Sequence, residues 1–176
     1  IGDCGFKDQW EQTVHLSGLR YLCAHEDTWD KVKIVGLQEK ENYHKYTLHR
    51  CDQYCSLFGA KLSDIAISAE VFINVPKMKV HKLVKVTGAI KNMMGIMAQK
   101  GSMHPKGNAQ ILHKRLRDLY FLTRDKIHFI VSDGIIGSEY AETGGIPRYS
   151  GILASGTDPW EIDVTNAKLM GIRPEE

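Results

Sequence analysis

Lysine and histidine alternate after an apolar stretch, in the segment Pro76-Lys77-Met78-Lys79-Val80-His81. Side chains two residues apart in an extended chain project to the same side, so Lys77, Lys79 and His81 are predicted to share one face. Two ammonium groups and an imidazole suit a phosphate, a carboxylate or an enolate-like transition state. A solvated basic loop without any ligand is the alternative interpretation of this pattern.

Lys91 and Asn92 lie in an otherwise apolar segment, where both would need polar partners if buried. They are predicted either to reach the same site, with Lys91 holding the anion and Asn92 orienting it, or to extend to solvent. His81 and His104 are the candidate catalytic residues, because an unperturbed imidazole titrates near neutral pH and can transfer a proton.

Acidic residues are segregated from the basic ones along the chain. No acidic residue stands between Glu70 and Asp118, whereas six acidic residues stand against one arginine from Asp133 to Asp163. This arrangement suggests a site that holds an anion and a cation, although the two segments could equally pair with each other or with water. Asp133 and Asp163 are the candidate ligands of a divalent metal or the counter-charges of the lysines. A turn at Asp133 and a helix dipole at Asp163 are the alternative explanations.

Cysteine and histidine form a second, weaker candidate for a metal site. His44, His49, Cys51 and Cys55 fall within twelve residues, but their spacing is not that of a standard zinc motif, and half-buried thiols are the simpler interpretation. Four cysteines are too few and too scattered for a disulfide scaffold. No cluster-binding motif occurs, so no iron–sulfur cluster is expected within this chain.

Several function classes are disfavoured by what the sequence lacks. There is no Gly-x-Gly-x-x-Gly after a strand, no P-loop, no His-Glu-x-x-His and no Gly-x-Ser-x-Gly. Residues 76–110 contain no Phe, Tyr or Trp, which argues against binding of single-stranded nucleic acid. Nucleic acid is therefore not an expected partner. No apolar run approaches the ~20 residues that span a bilayer, so a membrane is not expected either.

Hydrophobic periodicity predicts the elements that must position these residues. Strands are predicted at residues 32–37, 71–75, 127–131 and 151–155, those at 71–75 and 127–131 buried, with short edge strands around Tyr46 and Lys61. Helices are predicted at 7–23, 83–97 and 111–122, and long loops at 98–108 and 134–150. A final helix begins with Asp158 as N-cap, Pro159 in the first turn and Glu161 completing a capping box, and should end at Gly171.

Alternating strands and helices predict an α/β fold with a mainly parallel sheet flanked by helices on both faces. The 176 residues, with 43% hydrophobic and 25% charged residues, suit one domain with a real core and exclude intrinsic disorder. The chain opens on Ile1-Gly2-Asp3 in the manner of the tail of a strand. We therefore expect an N-terminal strand to be missing and the chain to be a fragment of a longer protein.

Several blocks taken together resemble the domain-of-unknown-function family 362. They are the segment from Val71 to His81, Thr87-Gly88-Ala89-Ile90-Lys91-Asn92 with Gly95, His104, Ser132-Asp133-Gly134, and Ala154-Ser155-Gly156-Thr157-Asp158-Pro159 with Asp163 and Leu169-Met170-Gly171. The match covers roughly residues 70–172. The resemblance implies a prokaryotic cytoplasmic protein associated with ferredoxin-like iron–sulfur modules or other redox proteins, and it implies no established reaction.

Two departures from the family pattern stand out. A Lys-Pro-Asn-like motif on an extra first strand is absent, and Glu142-Thr143-Gly144-Gly145-Ile146-Pro147 replaces a Gly-x-Gly-Pro loop. From the residues and the resemblance, the leading hypothesis is a domain that binds a small phosphate or carboxylate ligand at strand ends, with metal assistance and a redox association. The alternative is a non-catalytic module that docks an acidic partner such as a ferredoxin-like protein.

Overall fold

The computed structural model describes residues 1–3, 10–25, 31–37, 42, 45–51, 56–104 and 107–173. The strands are β1 (Gly2–Asp3), β2 (Val35–Gly36), β3 (Tyr46–Arg50), β4 (Gly59–Ser63), β5 (Ile73–Asn74), β6 (Lys77–His81), β7 (Lys85–Thr87), β8 (Phe129–Glu139) and β9 (Ile146–Gly156). The helices are α1 (Trp10–Leu16), α2 (Leu19–Ala24), α3 (Asp64–Ile67), α4 (Ala89–Asn92), α5 (Ala109–Thr123) and α6 (Pro159–Leu169). Short 3-10 helices lie at Met93–Ile96, Lys100–Met103 and Arg124–Lys126.

Strand β8 is the centre of the main sheet. It pairs along one edge with β9 in antiparallel register and along the other with β5 and then β6, both parallel to it. β7 adds to β6 as an antiparallel outer strand. The fold is therefore α/β as predicted, but the sheet is mixed, and the prediction of a mainly parallel sheet is wrong. Two hairpin connections cause the difference, because a hairpin joins only antiparallel strands.

The hairpin of β8 and β9 replaces the long loop that the sequence predicted over residues 134–150. Glycines in this segment occupy ladder positions that Met78 of β6 approaches closely, with its side chain at Gly134 and its backbone at Gly137. A Cβ on Gly134 would lie 2.8 Å from the Cε of Met78, and one on Gly137 would lie 3.0 Å from the carbonyl oxygen of Met78. The turn itself spans 140–145, where Tyr140 and Gly144 both have a positive φ of 66°.

The predicted helix over residues 83–97 is also wrong at its first half. Residues 82–84 form a turn, Lys85 has a φ of 65°, and the chain returns antiparallel to β6 as β7. Only then does one turn of α-helix, α4, lead into the 3-10 helix Met93–Ile96. Of the apolar residues whose spacing indicated a helix, Met93 and Met97 are buried in the common core, and Leu83 packs against it from the turn after β6.

Other predicted elements are confirmed with altered bounds. The predicted 111–122 helix is α5, and the edge strands around Tyr46 and Lys61 pair as β3 and β4. The predicted first helix is broken into α1 and α2 at Gly18, which has a φ of 74°. The strand predicted at 71–75 is reduced to β5. No helix in the described ranges has both the length and the apolarity to cross a membrane.

The two faces of the main sheet differ in exposure. Asn74 of β5, Met78 of β6 and Ile130 of β8 are buried, and Ile130 joins a core that includes Leu112 of α5 and Ile162 of α6. On the opposite side of the sheet, the side chains from Ile73 to Lys77 at odd positions, and Phe129, are exposed. We call this second surface the open face; it consists of Ile73, Val75, Lys77, Phe129, Asp133 and Leu153. Helices were expected on both faces, but in the described part of the chain they do not cover this one.

Candidate functional site

His81 occupies the end of β6 with only 2% of its surface exposed. Its Nδ1 accepts hydrogen bonds from the backbone N–H groups of Leu83 (3.1 Å) and Val84 (3.3 Å), in the turn that leads to β7. A neutral imidazole that accepts at Nδ1 carries its proton on Nε2. Burial, with the charge of Lys91, lowers the pKa of His81 to about 4. His81 is thus a neutral ring that presents an Nε2–H donor at neutral pH.

Glu142 faces this donor from the turn between β8 and β9. Its Oε1 lies 3.5 Å from His81 Nε2, while its Oε2 is buried without a hydrogen-bond partner. Burial alone would raise the pKa of Glu142, but its own backbone N–H, the charge that His81 carries when protonated, the N–H of Lys82 and the charge of Lys91 together lower it. Glu142 is therefore a partly exposed carboxylate, with one buried oxygen, that the groups around it hold ionised.

Lys91 and His104 complete the cluster around His81. Burial lowers the pKa of Lys91, and repulsion from Lys79 and Lys100 lowers it further, against the attraction of Glu142. The rings of His81 and His104 are stacked with centroids 6.2 Å apart, and burial together with the charge of Lys91 lowers the pKa of His104. These groups act on one another electrostatically, so the sequence prediction that Lys91 belongs with the β6 residues agrees with the geometry.

Lys77 does not share this environment with Lys79 and His81. Lys77 stands opposite Asp133 in the ladder, and its Nζ lies 2.5 Å from Asp133 Oδ2. The register then shifts, so that Lys79 stands opposite Ser138. The extra residues of this irregularity lie in β8, where five positions separate the two partners that two positions separate in β6. The structure thus divides the three residues that simple alternation placed on one face: Lys79 and His81 join the cluster with Lys91, and Lys77 pairs with Asp133.

Asp133 has its carboxylate engaged by protein groups. Besides Lys77, its Oδ1 accepts the backbone N–H of Ile135 at 3.0 Å. Burial alone would raise the pKa of Asp133, but the hydrogen bond from Lys77, the N–H of Ile135 and the charge of Lys77 lower it overall. This arrangement corresponds to the counter-charge alternative for Asp133, and the turn alternative contributes through Ile135.

Asp163 lies on α6 and binds the start of α4. Its two oxygens accept the backbone N–H groups of Ala89 (2.5 Å) and Ile90 (3.0 Å). Burial raises the pKa of Asp163 to about 6, against these two hydrogen bonds, which lower it. Asp163 therefore caps a helix across two elements, whereas the sequence interpretation offered a metal ligand or a complement to the dipole of its own helix.

Asn92 also serves the position of α4. Its Nδ2 donates to Asn74 Oδ1 at 2.8 Å, and Asn74 Nδ2 donates to the carbonyl oxygen of Ala89 at 2.9 Å. These bonds tie both ends of the helical turn to β5. The role of Asn92 in orienting an anion stays a prediction; its side chain contacts the buried Asn74 from the same helical turn that carries Lys91.

No group of three or more potential metal ligands forms among the residues that the structure describes. Asp133 and Asp163 bind different protein partners, as given above. Of the weaker His/Cys group, His49 lies on β3 and Cys51 is buried, while His44 and Cys55 lie outside the described residues. A separate cleft of about 410 Å³ is lined by Met78, Val80, Ile152, Leu169 and Met170 among others, and none of the candidate site residues lines it.

Glu142 is the member of the cluster that sequence reasoning did not select. Its signal was available in the acidic run from Asp133 to Asp163 and in the departure from the family loop, but the hairpin that brings it to His81 was not foreseen. Glu142 reaches His81 because β8 pairs with β9, and both strands include residues of the segment 134–150 that was predicted to be a loop.

This geometry defines a class: a mixed α/β domain with a partly buried cluster of lysine, histidine and glutamate at the end of a strand. The family model "Domain of unknown function (DUF362)" matches residues 1–168, and the chain belongs to that family. The chain is similar to a thylakoid-associated protein of Synechocystis sp., with 28% identity over 117 residues. That match covers 65% of this chain and 36% of the relative, so the chain spans little more than a third of the relative's length.

Proposed function

We propose that the cluster of Lys79, His81, Lys91, His104 and Glu142 binds a small anion, either a phosphate or a carboxylate. One observation carries the proposal. The pKa values of His81, Lys91 and His104 are all lowered, by burial and by the positive charge of neighbouring groups. An anion bound among these groups would relieve that repulsion and favour the protonated forms of Lys91 and His104.

His81 and Lys91 have distinct roles in this proposal. The neutral His81 ring donates its Nε2–H to an oxygen of the anion, and its fixed tautomer makes it a donor that needs no reorganisation. Lys91 supplies charge from α4. Glu142 faces the same donor at 3.5 Å, so an incoming anion competes with it for His81.

His104 is the proposed proton-transfer group of the pair. His81 has its Nδ1 occupied by two backbone N–H groups, and its Nε2 carries the proton, so it has no lone pair available to accept one. His104 is only partly buried and is held neutral by its lowered pKa, which leaves one ring nitrogen able to act as a base. The predicted catalytic pair therefore divides into a donor and a base.

The test is a titration of the 176-residue chain with inorganic phosphate and, separately, with acetate, at constant ionic strength. Calorimetry measures the binding, and the imidazole NMR signals report the histidine pKa values. We expect the His104 signal to report a higher pKa at saturating anion, with proton uptake measured in buffers of different ionisation enthalpy. Lys91→Met should weaken binding about tenfold or more, because it removes a charged hydrogen bond. Lys77→Met is the matched control and should bind as the unaltered protein does, since Lys77 pairs with Asp133. Equal losses in both variants, or no binding of either anion, would contradict the proposal.

Metal assistance and a redox association are separate parts of the proposal. A divalent metal at Asp133 or Asp163 would have to displace the N–H and ammonium groups that these carboxylates accept. Elemental analysis of anaerobically purified protein tests this directly, and a stoichiometric metal lost on Asp133→Ala would support it. Metal content unchanged by that substitution would refute Asp133 as a ligand.

A cytoplasmic location is likewise proposed from the family resemblance.

Docking of an acidic protein, such as a ferredoxin-like protein, is the second candidate function. It is favoured by the exposed side chains of Lys82 and Lys85 in and beside the turn between β6 and β7. Binding of a ferredoxin should then weaken as salt is raised and should fall in Lys82→Glu, while Lys126→Glu, an exposed lysine in another element, serves as control. Equal binding by both variants would count against docking at this turn.

A further inference from the structure

The open face of the main sheet has the composition of an interface. Its residues lie on one side because cross-strand partners in a ladder share a face. Ile73 stands opposite Phe129 in the β5–β8 register, and Asp133 stands opposite both Lys77 on β6 and Leu153 on β9. Four strands, β5, β6, β8 and β9, thus contribute to one surface.

Apolar side chains on this surface are exposed to an unusual degree. Val75 is 59% exposed, Leu153 is 60% exposed, and Phe129, which belongs to the central strand β8, is still 41% exposed. A mixed sheet with parallel pairs at its centre is ordinarily covered on both faces. A contiguous apolar patch of this kind on a folded domain marks a surface that another molecule covers.

The ion pair within the open face restricts what that molecule can be. Lys77 and Asp133 lie among Val75, Phe129 and Leu153 on adjacent strands. A purely apolar partner would remove both charges from water without replacing that solvation. An acidic partner would satisfy Lys77 but would repel Asp133. The surface therefore requires a partner that presents both an anion and a cation amid apolar side chains.

A second copy of the chain meets this requirement. A two-fold axis parallel to the strands, passing between Lys77 and Asp133, places each side chain against the opposite charge of the other copy. Such an isologous contact uses the same patch on both subunits and is the commonest arrangement in soluble oligomers. Packing of two sheets face to face with nearly aligned strands is also a common geometry.

We propose that the protein forms a two-fold symmetric dimer through the open face, with Lys77 paired to Asp133 of the partner subunit. This inference goes beyond the proposed anion binding and does not depend on it, because the open face excludes His81, Lys91, His104 and Glu142. Apolar contact by Ile73, Val75, Phe129 and Leu153 supplies the driving force, and the crossed ion pairs set the orientation.

The first experiment measures the mass of the 176-residue chain by light scattering and sedimentation over a range of concentrations. We expect a dimer that dissociates on dilution. Leu153→Glu should weaken the dimer by roughly tenfold or more, because it places two like charges in an apolar contact. Leu48→Glu, which alters an exposed leucine on β3 outside the open face, should leave the dimer unchanged. A monomer at all concentrations, or a dimer equally sensitive to both substitutions, would overturn the proposal.

The second experiment tests the crossed ion pairs and does not depend on the intrachain pair. Lys77→Glu and Asp133→Lys should each be mainly monomeric, since like charges would face one another across the axis. An equimolar mixture of the two variants should recover a heterodimer, because both crossed pairs are then of opposite charge while the intrachain pairs stay broken. Circular dichroism checks that each variant is folded. Two folded variants that fail to associate on mixing would refute this arrangement of the dimer.

Discussion

Gly88→Ala tests how the residue before α4 accommodates the carboxylate of Asp163. Gly88 is buried, and a Cβ added to it would collide with Asp163 Oδ1 and lie 2.8 Å from Asp163 Cγ. The φ of Gly88 is −146°, which an alanine can adopt, so the expected effect comes from this collision. The carboxylate can escape only by moving away from the N–H groups of Ala89 and Ile90.

The magnitude follows from what that movement removes. Two backbone N–H groups donate to Asp163, at 2.5 Å and 3.0 Å. A hydrogen bond to a charged group contributes about 1.5–3 kcal/mol, and overpacking of a well-packed site costs about 1–3 kcal/mol. Part of the hydrogen bonding will be recovered by relaxation. We therefore expect Gly88→Ala to lower the free energy of unfolding by about 3 kcal/mol.

Urea unfolding followed by circular dichroism measures this change. Gly101→Ala is the control, because a Cβ at Gly101 has no atom within 4 Å and its effect should stay within about 0.5 kcal/mol. In a double-mutant cycle, Gly88→Ala should cost much less in the Asp163→Ala background, since the colliding carboxylate is gone. A Gly88→Ala protein as stable as the Gly101→Ala control, or strictly additive effects in the cycle, would refute the reasoning.

Further predictions concern the buried charges. Asp118 is fully buried and accepts the N–H groups of Ser56 (2.8 Å) and Leu57 (2.7 Å), so Asp118→Ala should lower the free energy of unfolding by about 3 kcal/mol, with a smaller loss for Asp118→Asn, as measured by urea unfolding. The lowered pKa of His81, about 4, makes its contribution to stability complete above pH 6.5 and lost as the pH falls through 4. His81→Phe should therefore flatten the loss of stability between pH 6.5 and 4 in unfolding experiments at several pH values. The raised pKa of Asp163, about 6, has the opposite sign: its contribution is complete below pH 3.8 and lost as the pH rises through 6, so Asp163→Asn should steepen the acid loss over that range. Unchanged pH profiles in these two variants would contradict the assigned environments.

Local signals were sufficient to predict α6 from the sequence. Asp158 accepts the N–H groups of Trp160 (2.7 Å) and Glu161 (3.2 Å), Pro159 occupies the first turn, and Gly171 follows the end with a φ of 71°. Each of these features depends only on residues within a few positions of one another. The bounds of the helix can therefore be predicted from its caps alone.

Non-local pairing explains why the β8–β9 hairpin was missed. Its strands carry glycine at positions where β6 approaches closely, so the segment has the composition of a loop. The same hairpin made the sheet mixed and brought Glu142 to His81. A prediction from composition alone could not separate a glycine required by a turn from a glycine required by a neighbouring strand.

The candidate site was predicted only in part, because strand pairing also decides which of its residues lie together. His81, Lys91 and Lys79 were selected by residue type, and they belong to one cluster. Lys77 was grouped with them by strict alternation, but it pairs with Asp133, and the β6–β8 ladder is interrupted between Lys77 and Lys79. Strand periodicity predicts faces only as far as the ladder stays regular, and a bulge cannot be identified from alternation of lysines.

Asn92 and Asp163, which sequence reasoning assigned to a ligand, have in the structure a role that supports the site indirectly. α4 is a single turn of four residues, too short to be stable without tertiary contacts. Asp163 binds its first N–H groups, and Asn92 and Asn74 tie it to β5. Lys91 lies on this turn, so the position of the ammonium group relative to His81 depends on contacts that no ligand needs to touch. Substitutions at Asp163 or Asn92 should therefore affect anion binding through Lys91.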